Sequence, residues 1–165
     1  GYWVRRGGDV HVRDPFAGRN WTALLHAAFL GHEDMVRHLV CDFEARLDDV
    51  EPFEERSALH LAALAGRTRI VELLIELGME VDVLNVRLRT PLHDAACMGQ
   101  THTVEALLKA RASVSRKYEG TAATRALEFE LAQGEKIPRS PMFANQHATA
   151  LHDAAEGGFT ETCLV

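Results

Sequence analysis

Only three cysteines, Cys41, Cys97 and Cys163, occur in 165 residues. An odd number so widely spaced makes no disulfide framework, and it fits a reducing, intracellular setting, cytoplasmic or nuclear. Basic residues are not in excess: 18 Lys and Arg stand against 24 Asp and Glu, a formal net charge of −6. That balance argues against a nucleic-acid partner, whose binding takes a basic surface. No stretch approaches the ~20 consecutive apolar residues that span a bilayer, so direct membrane insertion is not expected. The opening residues, GYWVRR, lack the basic-then-apolar order of a secretion signal. A Gly-rich phosphate loop, a nucleophile elbow and a paired-Cys zinc motif are also missing. No cofactor and no metal are therefore expected, and an enzyme or metal protein is a minor alternative. What is present is 47% apolar and 25% charged residues, enough for one domain with a real core.

The pattern that is present is a repeat. TALLHAAFLG begins at Thr22, SALHLAALAG at Ser57, TPLHDAACMG at Thr90 and TALHDAAEGG at Thr149, spaced 35, 33 and 59 residues apart. Each copy has a hydroxyl residue first, Leu two places on, a pair of Ala at five and six, and Gly at nine. Thr or Ser can cap a helix, and Pro91 suits the first helical position because no donor is lost there. The Ala pairs let helices approach closely, and Gly31, Gly66, Gly99 and Gly158 can take the left-handed conformation that ends a helix. A second apolar-periodic segment follows in the first three copies, as in IVELLI from Ile70. One such unit cannot bury its own apolar face, whereas stacked units can.

These motifs resemble the ankyrin repeat, most specifically in three copies. The resemblance implies an all-α solenoid of helix-turn-helix units joined by hairpin-like loops, with one degenerate unit. It divides a single domain into a tail of a preceding unit (1–14), units at 18–50, 54–84 and 87–117, a degenerate unit or loop insertion at 118–147, and an incomplete unit at 148–165. Within 118–147, residues 126–134 can form a first helix. Pro138 and Pro141 forbid the usual second one, so 135–147 reads as a loop or, alternatively, a binding arm. Both ends of the sequence fall inside units, and a segment of a longer array is expected. The resemblance also assigns His60, His93 and His152 to hydrogen bonds that tie one unit's loop to the next, with Leu25 in the corresponding place of the first copy. Recurrence in a stacking pattern makes these histidines structural, which sets aside His93, Asp94 and Cys97 as a triad. His32 and His38 are six apart and share no helix face.

In such arrays the residues just before the helix-ending Gly, and the loop tips, face a groove. Phe29, Leu30, Leu64, Cys97 and Met98 then offer an apolar stripe across three units, and such stripes mark interaction sites unless the long loops cover them. Trp21, Arg56 and Arg89 precede the hydroxyl residue; Trp and Arg dominate interface hot spots. Arg87 joins Arg89, while Arg116, Lys117 and Tyr118 occupy the next loop. Asp48, Asp49, Glu51, Glu54 and Glu55 make the intervening loop acidic, and such charge is either solvated surface or a guide for the partner.

The expected function is a non-enzymatic protein-protein interaction module, part of a larger scaffold or adaptor. Its expected partner is a protein or peptide segment with apolar anchors flanked by acidic residues. A substrate-recruiting subunit of a ubiquitin ligase is an alternative, although no cullin-binding box is visible, and so is a pathogen effector. Ankyrin repeats can also be hydroxylated at an Asn; the matching places hold His11, Asp82 and Ser115.

Overall fold

The structure, a computed structural model, describes residues 9–13, 20–114 and 149–165. The expected tail of a preceding unit lies largely outside these residues. The expected degenerate unit or insertion at 118–147 lies wholly outside them. Eight helices occur among the described residues: α1 (Ala23–Leu30), α2 (Glu33–Cys41), α3 (Ala58–Leu64), α4 (Thr68–Glu76), α5 (Pro91–Cys97), α6 (Thr101–Lys109), α7 (Ala150–Glu156) and α8 (Thr160–Leu164). No strand is formed among them; a single antiparallel bridge joins Val50 to Ser57. The helices pair as α1–α2, α3–α4, α5–α6 and α7–α8, and each pair packs on the next.

Each inner helix begins as its first residue predicts. The Ser57 hydroxyl accepts from the backbone N–H of His60, and the His60 ring reaches back to the backbone N–H of Ser57. Thr90 with His93 and Thr149 with His152 repeat this reciprocal cap. The inner helices then bury Leu24, Leu59 and Leu92, with the pairs Ala27–Ala28, Ala62–Ala63 and Ala95–Ala96. Full burial of one such Leu contributes roughly 1.5–3 kcal/mol. The outer helices add Val36, Ile70, Val71, Leu74, Val104 and Leu107 to the same continuous core.

The helix-ending glycines do more than turn the chain. Gly66 and Gly99 have φ of 67° and 64°, and each is covered by the residue that follows the equivalent glycine one unit on. A Cβ at Gly99 would sit 2.5 Å from Phe159 Cδ1, and one at Gly66 would collide with the Gln100 carboxamide. Two other left-handed positions recur in the units without requiring glycine. One follows the outer helix, at Glu44, Gly78 and Arg111; the other lies in the loop before the inner helix, at Asn20, Glu55 and Leu88. Nothing lies within 4 Å of a Cβ built on Gly78, so at that position conformation is the only constraint.

The fourth pair stacks directly on the third. Thr101 and Thr162 hydroxyls meet at 3.0 Å, as Thr68 and Thr103 do at 2.9 Å one unit earlier. Phe159 covers Gly99 as Gln100 covers Gly66. The spacing of 59 residues is therefore compatible with an unbroken stack of the described helices.

Candidate protein-interaction surface

The loops leading into the inner helices form fingers, numbered by the helix pair they precede: 46–57 is the second and 85–90 the third, and buried side chains hold them. His60 Nδ1 faces the Ser57 backbone N–H, which can only donate, so this nitrogen is unprotonated. Nε2 then carries the proton and donates to the Arg89 carbonyl oxygen at 2.9 Å, across 29 residues. This bond ties the second unit to the third finger. Burial pushes the His60 imidazole pKa down from its ordinary value, with Asp94 and the Arg89 carbonyl opposing.

Leu25 has no ring nitrogen to offer the second finger, and that finger is held from within. Glu51, buried to 3% exposure, accepts from the backbone N–H groups of Phe53 at 2.9 Å, Glu54 at 2.6 Å and, more weakly, Arg56 at 3.5 Å. Its own N–H donates to the Arg56 carbonyl at 3.0 Å. In the third finger the buried Asn85 does similar work: its Oδ1 accepts from Arg87 N–H at 2.9 Å and Arg89 N–H at 3.0 Å. Val86 N–H donates to the Glu54 carbonyl at 3.0 Å, which locks the two fingers side by side.

An ion-pair ladder runs under them. Asp94, 1% exposed, receives Arg56 Nε at 3.3 Å and Arg89 Nε at 3.1 Å. Arg89 continues to Asp153, with Nη2 at 3.2 Å from Oδ2. Arg56 and Arg87 both reach Glu54, at 2.5 and 2.6 Å. Burial opposes the charge on Arg89, but Asp153 and Asp94 outweigh it, so its pKa is raised. The expectation of Arg-rich tips meets a physical obstacle here: Arg56 and Arg89 are only 22% and 19% exposed and face internal carboxylates. Arg87 is the more exposed of the three and also has Glu54 as a partner.

The other expected site residues are distributed as follows. Trp21 is buried, 5.2 Å from the His26 ring and 5.5 Å from the Phe29 ring, the latter edge-on. Phe29 and Leu64 are half-buried. Leu30 and Met98 are 51% and 50% exposed, and Cys97 is exposed. Tyr118, with Arg116 and Lys117, lies outside the described residues. Phe53 and Val86, both exposed on the fingers, were not singled out from the sequence. Phe53 follows Pro52 in an otherwise charged loop, which is the one local signal of it.

Of the side chains considered as ligands, His93 bonds Thr90 and Asp94 bonds two arginines. Among the described residues, no group of three or more His, Cys, Asp or Glu is placed to hold a metal ion. No helix among them is long and apolar enough to cross a membrane.

Comparison with known proteins agrees with this geometry. The family model for ankyrin repeats (3 copies) matches residues 2–85 and 28–118. Among curated proteins, the chain is 26% identical over 116 residues to palmitoyltransferase ZDHHC17 of Danio rerio, covering 70% of this chain and 18% of that protein. It is 33% identical over 66 residues to the Homo sapiens protein of the same name, covering 40% of this chain and 10% of the relative. The chain thus spans less than a fifth of the length of these relatives.

Proposed function

This chain belongs to the ankyrin-repeat family, a family of protein-binding repeats, and on that premise we propose that it is a non-enzymatic module, within a larger intracellular scaffold or adaptor, that binds a partner protein or peptide through its groove and loop tips. One observation carries this reading. The position before the helix-ending glycine is apolar in three successive units, and Leu30 and Met98 leave about half of their surface in solvent there. Packing of the stack does not require those exposed faces, and a contiguous apolar stripe marks a binding surface. Half-buried Phe29 and Leu64 form its floor, with Cys97 beside Met98. Trp21 supports that floor from beneath by its edge contact with Phe29. The partner's apolar anchors seat on this stripe. The palmitoyl transfer named for the relatives is not part of this reading.

The test is affinity capture with the parent and with a Leu30→Glu/Met98→Glu variant. Both side chains are exposed, so melting should be unchanged. Loss of a specific partner from the variant is the expected result. Retention of every captured protein at parental levels overturns the groove as the site.

A further inference from the structure

Phe53 is 74% exposed, more than any other large apolar side chain described apart from Leu164. Its position is not a by-product of a loose loop. Glu51, a carboxylate removed from water, accepts from its backbone N–H and from its neighbour's, and burial of such a group is unfavourable unless hydrogen bonds compensate. The Val50–Ser57 bridge closes the base of the finger. The adjacent finger, joined through Val86 N–H to the Glu54 carbonyl, presents Val86 at 50% exposure. Two apolar side chains therefore stand in solvent on turns already ordered before any partner arrives, which lowers the entropic cost of binding.

The charge around them has a definite sign. Residues 46–57 and 85–90, with the ladder beneath, contain four cations, Arg46, Arg56, Arg87 and Arg89. Seven carboxylates accompany them: Asp48, Asp49, Glu51, Glu54, Glu55, Asp94 and Asp153. Every one of the four cations has a carboxylate partner, which leaves a net excess of three negative charges and exposed Glu55 two residues from Phe53.

We propose that the second and third fingers form a binding site for an extended arginine- or lysine-bearing segment of a partner protein. A guanidinium packs over the exposed Phe53 ring beside Glu55, and an apolar side chain seats against Val86. A cation over an aromatic face is attracted by the ring quadrupole, and the acidic surround steers such a segment and rejects an acidic one. The site rests on the reading of the chain as an interaction module. It gives the loop tips a defined pair of apolar residues and reverses the charge expected of the partner there.

The experiment selects random linear peptides displayed on phage against the full chain. It then compares the selected peptides on Phe53→Ser, Glu55→Lys and Leu30→Glu/Met98→Glu variants that melt like the parent. The expected result is enrichment of peptides with Arg or Lys beside an apolar residue. Phe53→Ser should weaken them at least about tenfold, as truncation of a hot spot does. Glu55→Lys and rising salt should weaken them as well. Peptides indifferent to Phe53→Ser but lost on the groove variant overturn the finger site and leave the groove reading standing. Enrichment of acidic peptides overturns it too, as does self-association of the chain that Phe53→Ser abolishes, since the occupant would then be a second copy. A library that yields no selective peptide counts against both the finger site and the reading beneath it.

Discussion

Asp94 shows how one side chain can decide the character of its neighbours. It sits where the preceding unit has Leu61, and both residues are buried. Replacing a buried Leu by a carboxylate is tolerable only because Arg56 and Arg89 meet it from two units. Asp94→Ala takes from two partly buried guanidinium groups the carboxylate they share, leaving Glu54 to Arg56 and Asp153 to Arg89. We expect a loss of about 2–3 kcal/mol in urea denaturation, no more than the smallest loss for breaking a buried pair, because each arginine keeps a second carboxylate and some solvent. Arg56→Met in the same background should recover part of that loss, and a double-mutant cycle measures the coupling. His60 gives a second prediction. Its folded pKa lies below its unfolded value because burial disfavours the imidazolium, so the unfolded chain binds more protons. The stability this contributes is fully present above about pH 6.5 and is lost as pH falls from there toward the folded value. The slope of unfolding free energy against pH below that point should shrink in His60→Gln.

At the scale of the element, left-handed residues separate two demands on the chain. After the outer helices, Glu44 and Arg111 carry φ of 53° and 66° where the second unit has Gly78. No close neighbour restricts Gly78, so conformation alone is at issue. Arg111→Gly should therefore raise the melting midpoint, by the roughly 1 kcal/mol that a left-handed non-glycine residue costs, less the added freedom of the unfolded chain. After the inner helices the opposite holds. Gly99→Ala combines a positive φ with a collision against Phe159, and should cost about 1–3 kcal/mol by the backbone and overpacking terms together. Adding Phe159→Ala should relieve the collision but not the backbone strain, so recovery of part of the loss in thermal melting is the expected outcome.

For the molecule as a whole, each helix pair contacts the pairs beside it, and no pair has a core of its own. Stability in such a stack is a sum of unit and interface contributions between nearest neighbours. Leu92 is 1% exposed on α5, the helix that packs against both α3 and α7. Leu92→Ala should cost about 2–5 kcal/mol. In hydrogen exchange it should reduce protection in α3 and α7 together, while α1, one unit further away, loses less. Equal loss in all units would show a single cooperative block instead.

The amino-acid order by itself determined the stack. Thr or Ser, Leu, His, the Ala pair and Gly recur at fixed spacing, and each residue acts within one helical turn of its neighbours, so its role can be read locally. The helices and the glycine turns were legible for that reason, whereas the His60 bridge, which spans 29 residues, was legible only through the family resemblance. Roles that depend on partners far along the chain were not. Arg56 and Arg89 read as recognition residues because Asp94 lies 38 residues from Arg56 and Asp153 lies 64 residues from Arg89, and only the Arg89–Asp94 pair, five residues apart, is local. Trp21 read as a hot-spot candidate from its residue type, and the ring contacts with His26 and Phe29 that accompany its burial depend on side-chain packing that the type does not fix. Phe53 drew no notice, because exposure is set by where the Glu51 hydrogen bonds aim the turn and not by its residue type. Which charges are already neutralised, and which apolar groups remain in water, only the tertiary structure decided, since both follow from distances between units that the linear order does not contain.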